Sequence, residues 1–299
     1  YQHIAEVVAE VLDGRKVEQF DDLQALPEVD VQRIMTTGGY SSYLKIAEGC
    51  DKHCTYCIIP KLRGSYRSHS MDYLIRQAES LAAQGVKELN IVAQETTVYG
   101  TDLYNGQKLL PELLRRLCRI EGISWIRVLY CYPEEIYPEL IETIRDEKKI
   151  CHYLDLPIQH ASDRILKRMG RRTSKQQLID IVSTLRKEIP DIVLRTTLIT
   201  GFPGETQEDH EELMEFVDQM EFRRIYLFSG RRHTGGNHGR SDPGGSQTGS
   251  SGRTDGTAAG DFSGTRRKMC RKRLPGNDRG KSSRRECLCG TYLRRCTGN

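Results

Sequence analysis

Six times between Tyr43 and Phe228 a short apolar, β-rich run is followed by an amphipathic or polar stretch. The β-rich runs are YLKIAE, KELNIVAQ, WIRVLYC, HYLDLPIQ, IVLRTTLIT and RRIYLF. The helical ones are DYLIRQAESLAAQG, LLPELLRRLCRI, EEIYPELIETIRD, SKQQLIDIVSTLRKEIP and TQEDHEELMEFVDQM. Near-continuous apolar strands are buried on both faces, and helices between them supply the crossovers that parallel strands need. The pattern predicts an α/β fold with a parallel sheet of six strands, doubly wound or closed into a barrel. Periodicity leaves both open. Gly85 and Pro190 punctuate two of the helices at their carboxyl ends.

Residues of unusual chemistry cluster after the strands. Cys50, Cys54 and Cys57 follow the first, Gln94-Glu95-Thr96-Thr97 the second, Tyr130-Cys131-Tyr132-Pro133 the third and Gln159-His160 the fourth. TGFPGE, from Thr200 to Glu205, follows the fifth. Parallel sheets build their sites at the carboxyl ends of strands, so these residues predict one active face.

The spacing Cys-x3-Cys-x2-Cys sets the chemistry. Structural zinc normally takes four protein ligands, so three thiols leave it one short. A disulfide would strand one thiol. A 4Fe–4S cubane held by three thiolates keeps one iron open to another ligand. Ten cysteines at scattered spacings in 299 residues do not form a disulfide framework, which points to a reducing cytoplasm. No apolar run approaches membrane-spanning length.

With this loop after the first strand of a βα repeat, the chain resembles the radical S-adenosylmethionine enzymes. More closely, YLKIAEGCDKHCTYCIIPKLRGSYRS, ELNIVAQETTVYG, YLDLPIQH and RTTLITGFPGET resemble the methylthiotransferases over residues 1 to about 224. IIPKLRG and His160 favour the RimO branch, which modifies a ribosomal protein, over the MiaB branch, which modifies tRNA. The resemblance implies a partial (β/α)6 barrel with a 4Fe–4S cluster on Cys50, Cys54 and Cys57. It implies S-adenosylmethionine chelated at the open iron and a 5′-deoxyadenosyl radical that attacks the β-carbon of an aspartate in a small-subunit ribosomal protein. The electron donor would be of the flavodoxin or ferredoxin type.

Carried over position by position, Tyr56 is expected beside the adenine, and Gln94, Glu95 and Thr96 at the methionine end of the cofactor. Gln159 joins that set. Arg195 has two readings, a fork for the cofactor carboxylate or a buried structural ion pair. Gly201, Gly204 and Glu205 resemble the loop beside the adenosyl group, with a plain turn as the alternative. His160 either faces substrate or is a hydrogen-bonded core histidine. Cys118, Cys131 and Cys151 lie in apolar runs and read as core.

Two departures from the family qualify this expectation. Methylthiotransferases carry a second 4Fe–4S cluster on three cysteines of a preceding domain, and residues 1–49 hold no cysteine. IAEVVAEVLDG and the acidic FDDLQALPEVD read as the end of that domain and its linker, residues 1–42. The core spans 43–228. From Arg223 the composition changes: 18 Lys/Arg face 5 Asp/Glu, against 27 facing 36 before it. Fifteen of the 27 glycines also lie there. Glu codons read out of register become Gly and Arg, so residues 229–299 are expected to be a frame-shifted, disordered replacement for a β-barrel domain. A zinc protein with a basic RNA-binding tail is the non-enzymatic alternative.

Overall fold

The computed structural model describes residues 3–20, 22–26, 28, 39–229 and 286–289. After helix α1 (Ile4–Leu12) come β1 (Ser41–Lys45), β2 (Ala47–Glu48), α2 (Ile59–Arg63), β3 (Arg67–Ser68), α3 (Met71–Ala83) and β4 (Glu88–Val92). The chain continues through α4 (Leu110–Cys118), β5 (Trp125–Val128), a 3-10 turn (Pro133–Glu135), α5 (Pro138–Asp146) and β6 (Ile150–Asp155). It closes with α6 (Asp163–Arg168), α7 (Lys175–Glu188), β7 (Val193–Thr200), α8 (Gln207–Met220), β8 (Arg224–Ser229) and β9 (Glu286–Cys289).

The main sheet is parallel, in the order β1-β4-β5-β6-β7-β8-β9. A doubly wound sheet reverses its strand order part-way. Here each strand from β1 to β8 is added beside the last in the same direction, which is barrel winding, and β1 and β9 remain apart as edges. The expected partial barrel of six strands is therefore present.

Alternation in each strand divides two environments. Leu44, Ile91, Val128, Leu154, Leu198 and Leu227 face outward to Leu74, Leu114, Ile144, Leu185 and Phe216 of the helices, in one core. The inner wall is polar. Glu88 accepts from Arg127 Nε at 3.0 Å, Arg127 lies 4.9 Å over the Tyr153 ring, and Arg195 lies 3.8 Å over the Tyr226 ring. An interior of this kind holds room and hydrogen-bonding groups instead of the layered aliphatic packing of a closed barrel. The helices start on local signals: Ser70 and Thr206 side chains cap α3 and α8, and Ser174 with Gln177 forms a capping box on α7.

Sequence periodicity missed α2, α6 and the β2–β3 pair, each too short for a period to register. Most of the segment expected to be disordered lies outside the described residues. Two parts of it differ from expectation. Ser229 ends β8, and residues 286–289 pair with Arg224–Leu227. A bare β8 edge presents unpaired amides and carbonyls, and a short extended segment satisfies them. Among the described residues no helix is long and apolar enough to cross a membrane. α1 buries none of its residues, but the connector after it touches the core: Gln24 Oε1 accepts from Ser65 Oγ at 2.6 Å, and Glu28 from Ser70.

Candidate cluster and cofactor site

Residues 49–66 leave the sheet between β2 and β3, whose antiparallel pairing (Ala47 with Ser68, Glu48 with Arg67) closes the excursion at its base. Gly49 makes the first turn with φ +79°. A Cβ there would stand 2.0 Å from the Ser65 carbonyl oxygen, so only glycine fits. Cys50 N then donates to Gly64 O at 3.3 Å, and Asp51 accepts from Tyr66 N at 3.0 Å. From the far side, Thr55 N and Oγ1 each donate at 3.0 Å, to Met169 O and Arg168 O at the end of α6. Gly170 packs against the His53 carbonyl, where a Cβ would come to 3.0 Å. The loop is gripped on two sides.

Cys50 and Cys54 are each 6% exposed, and Cys57 is half-buried. Cys50 interacts electrostatically with Glu95, Cys54 and Cys57, so the three thiols share one neighbourhood. Burial pushes the Cys50 thiol up to about 11, and it raises Cys57 as well. Thiolates here require compensating positive charge, which a bound metal would supply. Three thiols in one neighbourhood can give one ligand to each of three irons of a cubane and leave the fourth open, whereas a lone zinc would be one protein ligand short. The donor set fits a cubane.

Around the loop the strand ends bring together most of the expected residues. Gln94 Nε2 donates to the buried Glu48 at 3.0 Å, while Gln94 Oε1 is buried without a hydrogen-bond partner. Lys45 and Arg63 hold Glu48 charged despite its burial, keeping its pKa below the ordinary value. Glu95 is 1% exposed. Its Oε1 accepts from Thr97, and its Oε2 is unpartnered. Burial pushes the Glu95 carboxyl up to about 7, against the pull of the Thr97 bonds and Lys52. Thr96 is committed to the fold: its N donates to Tyr130 O at 3.1 Å and its Oγ1 to Leu129 O at 2.5 Å.

Tyr130 and Gln159, at the ends of β5 and β6, hold left-handed backbones with φ 57° and 71°. Such strain in non-glycine residues concentrates at functional sites. Arg195 sits 3.5 Å from Asp155 Oδ1 and is stacked on Tyr226. The ion pair is thus present, although neither atom of that contact makes a hydrogen bond. Tyr56 is half-buried in a small apolar cluster with Ile165, Met169, Ile199, Phe202 and Phe228.

The remaining two candidates pair with one another. His160 is fully buried, its Nδ1 accepts from Ser162 N at 3.0 Å, and its Nε2 points at Glu205 Oε1, 3.6 Å away. The same Glu205 oxygen lies 2.9 Å from His210 Nδ1, and Oε2 accepts from Phe202 N at 2.9 Å. Although burial opposes it, these bonds pull the Glu205 carboxyl down to about 2. No face of His160 is open to a substrate in this arrangement. It braces the Gly201–Glu205 loop, whose two glycines have φ 70° and 85°.

Sequence reasoning singled out neither Lys52 nor Arg171, and passed over Tyr132 as one residue of a marked loop. Tyr132 OH is 3.7 Å from Cys54 Sγ, and the two cations flank its ring. No local pattern marks Arg171, because the residues it meets come from distant parts of the chain. A groove of about 830 Å³ lined by Arg76, Arg116, Arg119 and Gly122 runs along α3 and the end of α4, and none of the residues above lines it.

The sequence model of the Radical SAM superfamily matches residues 44–217. The ribosomal protein uS12 methylthiotransferase RimO of Lachnoclostridium phytofermentans is 64% identical over 229 residues, 77% of this chain and 52% of that protein. The protein of the same name from Clostridioides difficile is 47% identical over 77% of this chain and 51% of its own length. The chain thus spans about half the length of the curated relatives it matches. Among solved structures, the radical S-adenosylmethionine methyltransferase TsrM of Kitasatospora setae, with tryptophan and a cofactor analogue bound, superposes with a TM-score of 0.53. That alignment has 18% identity and covers 64% of this chain and 36% of that one, a likeness of fold. A match running from β1 into α8 and taking in the whole three-cysteine loop makes this chain a member of the radical SAM superfamily.

Proposed function

We propose that this chain is the core of a methylthiotransferase of the RimO type, whose substrate is an aspartate of a small-subunit ribosomal protein. The carrying observation is the 64% identity to a protein of that name across the barrel and its cysteine loop. The Clostridioides difficile relative bears the same name, which favours a ribosomal protein over tRNA as substrate. In this reading residues 1–42 connect to a preceding domain, 43–228 form the core, and 229–299 are the frame-shifted replacement for a β-barrel domain. A cytoplasmic location and a flavodoxin- or ferredoxin-type electron donor belong to the same proposal.

Cys50 and Cys54, both buried, and the half-buried Cys57 would hold a 4Fe–4S cluster. Such a cluster would supply the electron for reductive cleavage of the S-adenosylmethionine sulfonium, the source of a hydrogen-abstracting radical. Gln94 Oε1 and Glu95 Oε2, both buried and unpartnered, are the acceptors for the cofactor's amino group. Arg195 exchanges part of its interaction with Asp155 for the cofactor carboxylate, a trade its planar fork permits. Gln159, with its left-handed backbone, and Thr96 shape the wall around them. Tyr56 and Gly201 line the adenosyl side, and Glu205, with His160, holds that loop in place. Residues 1–49 carry no cysteine, so the second cluster is assigned to no residue of this chain.

Anaerobic reconstitution tests the reading. About four irons and four sulfides per chain are expected, with cleavage of S-adenosylmethionine to 5′-deoxyadenosine on reduction. Replacing any one of the three cysteines by alanine should abolish both. Stoichiometric zinc in place of iron and sulfide would refute it. Methylthiolation of the ribosomal protein against tRNA, assayed with the frame-corrected full-length protein, separates the two branches.

A further inference from the structure

Tyr132 stands between the third strand and the three-cysteine loop. Its hydroxyl lies 3.7 Å from Cys54 Sγ. On its ring rest two cations, Lys52 Nζ at 5.3 Å from the centroid and the Arg171 guanidinium at 4.3 Å. They differ in kind. The Lys52 side chain is 21% exposed and spends its charge on Glu135. The Arg171 side chain is 1% exposed, donating from Nη2 to Glu134 Oε2 and Pro157 O, each at 3.2 Å. Its Nε and Nη1 are out of water with no hydrogen-bond partner.

A buried guanidinium with two idle donors is costly unless negative charge stands beside it. Glu134 supplies one such charge. The next electrostatic neighbours of Arg171 are the Tyr56 and Tyr132 hydroxyls and the Cys54 thiol. Of these, the Cys54 sulfur is the one that carries a full negative charge once it ligates iron.

We propose that Tyr132 and Arg171 hold the Cys54 thiolate, by hydrogen bond and by fixed charge respectively, and thereby set the reduction potential of the cluster bound at Cys50, Cys54 and Cys57. The proposal rests on the cluster reading above. In the reduction step the cluster gains one electron from an external one-electron donor, and no proton moves. A ligating sulfur carries more negative charge in the reduced cluster. A donor on that sulfur and a cation near it therefore stabilise the reduced form more than the oxidised one, and raise the potential.

The experiment is an EPR-monitored redox titration of the anaerobically reconstituted chain, with iron and sulfide measured on every sample. Tyr132→Phe keeps the ring that carries both cations and removes only the donor. It should bind a full cluster whose reduction equilibrium is about tenfold less favourable, a potential about 59 mV lower for one electron. Arg171→Gln should shift it in the same direction, and Arg171→Lys should recover part of the loss. If Arg171→Gln fails to fold, the Tyr132→Phe measurement decides alone. An unchanged potential with full cluster content overturns the proposal, as does a loss of cluster content without a shift in the potential of what remains. Failure of the unmodified chain to bind iron and sulfide overturns the cluster reading itself.

Discussion

Replacing Glu205 by glutamine keeps the volume of a side chain wholly out of water and removes only its charge. That charge has three partners: His210 Nδ1 at 2.9 Å, Phe202 N at 2.9 Å and, at 3.6 Å, His160 Nε2. Ser162 N donates to His160 Nδ1, which leaves the ring proton on Nε2, aimed at the carboxylate. A carboxyl that titrates at about 2 in the fold and near 4.5 without it is favoured by the fold in its charged form. At about 1.4 kcal/mol per unit, the difference stabilises the native state by about 3 kcal/mol at neutral pH. Because the folded value is the depressed one, this contribution is complete above about pH 4.5. It is lost as the pH falls from there towards 2. Glu205→Gln should therefore cost about 2–3 kcal/mol at neutral pH, the range for breaking buried hydrogen bonds to a charged group. The cost should shrink as both proteins are acidified. Urea unfolding followed by the fluorescence of Trp125, the sole tryptophan, measures this at each pH. A penalty below about 0.5 kcal/mol at neutral pH, within surface-substitution scatter, would refute the argument. A penalty independent of pH would show that shape and not charge was lost.

Three further outcomes follow from local geometry. Thr206→Ala removes the side chain that caps α8 by accepting from Asp209 N. It should cost about 1 kcal/mol, and calorimetry should show a midpoint about 2–4 °C lower for a domain of this size. Gly49→Ala forces a Cβ to within 2.0 Å of the Ser65 carbonyl at φ +79°. The loop must shift, so iron content after reconstitution should fall while the circular dichroism of the barrel is kept. Normal iron loading would contradict the close packing of that turn. A chain ending at residue 229 lacks β9, and hydrogen exchange should then lose protection along the free edge of β8 while β4 to β6 keep theirs.

The six long strands were legible because each is apolar enough to be buried and long enough for its flanking helices to declare a different period. Direction of winding was not legible: barrel and doubly wound sheets share the same alternation, and only strand order in space separates them. Nor was the character of the inner wall. Arg127, Tyr153, Arg195 and Tyr226 interrupt apolar runs one at a time, and in the sequence each reads as a lone exception. Across neighbouring strands they stack in two pairs, Arg127 on Tyr153 and Arg195 on Tyr226, and that adjacency is a property of the sheet and not of the sequence. β9 was illegible for a related reason: ECLC has no pattern of its own, and its place is set by the unpaired edge of β8.

At the site, legibility followed covalent proximity. Cys50, Cys54 and Cys57 share one loop, so spacing alone marked them as a group. Gln94, Glu95 and Gln159 were marked by lying after strands, which is where a parallel sheet gathers its polar groups. Glu205 and His160 were each singled out, yet their relation could not be read, because two residues that looked like separate contacts are one buried brace with His210 as its third member. Arg171 illustrates the limit most plainly. It lies in a basic MGRRT stretch beside Arg172, where solvent exposure is the ordinary expectation for both, and only one of them is buried. What distinguishes them is the Tyr132 ring and the carboxylate of Glu134, delivered by a turn after a different strand. A buried charge is legible only through its partners, and partners brought together by topology leave no mark on the sequence between them.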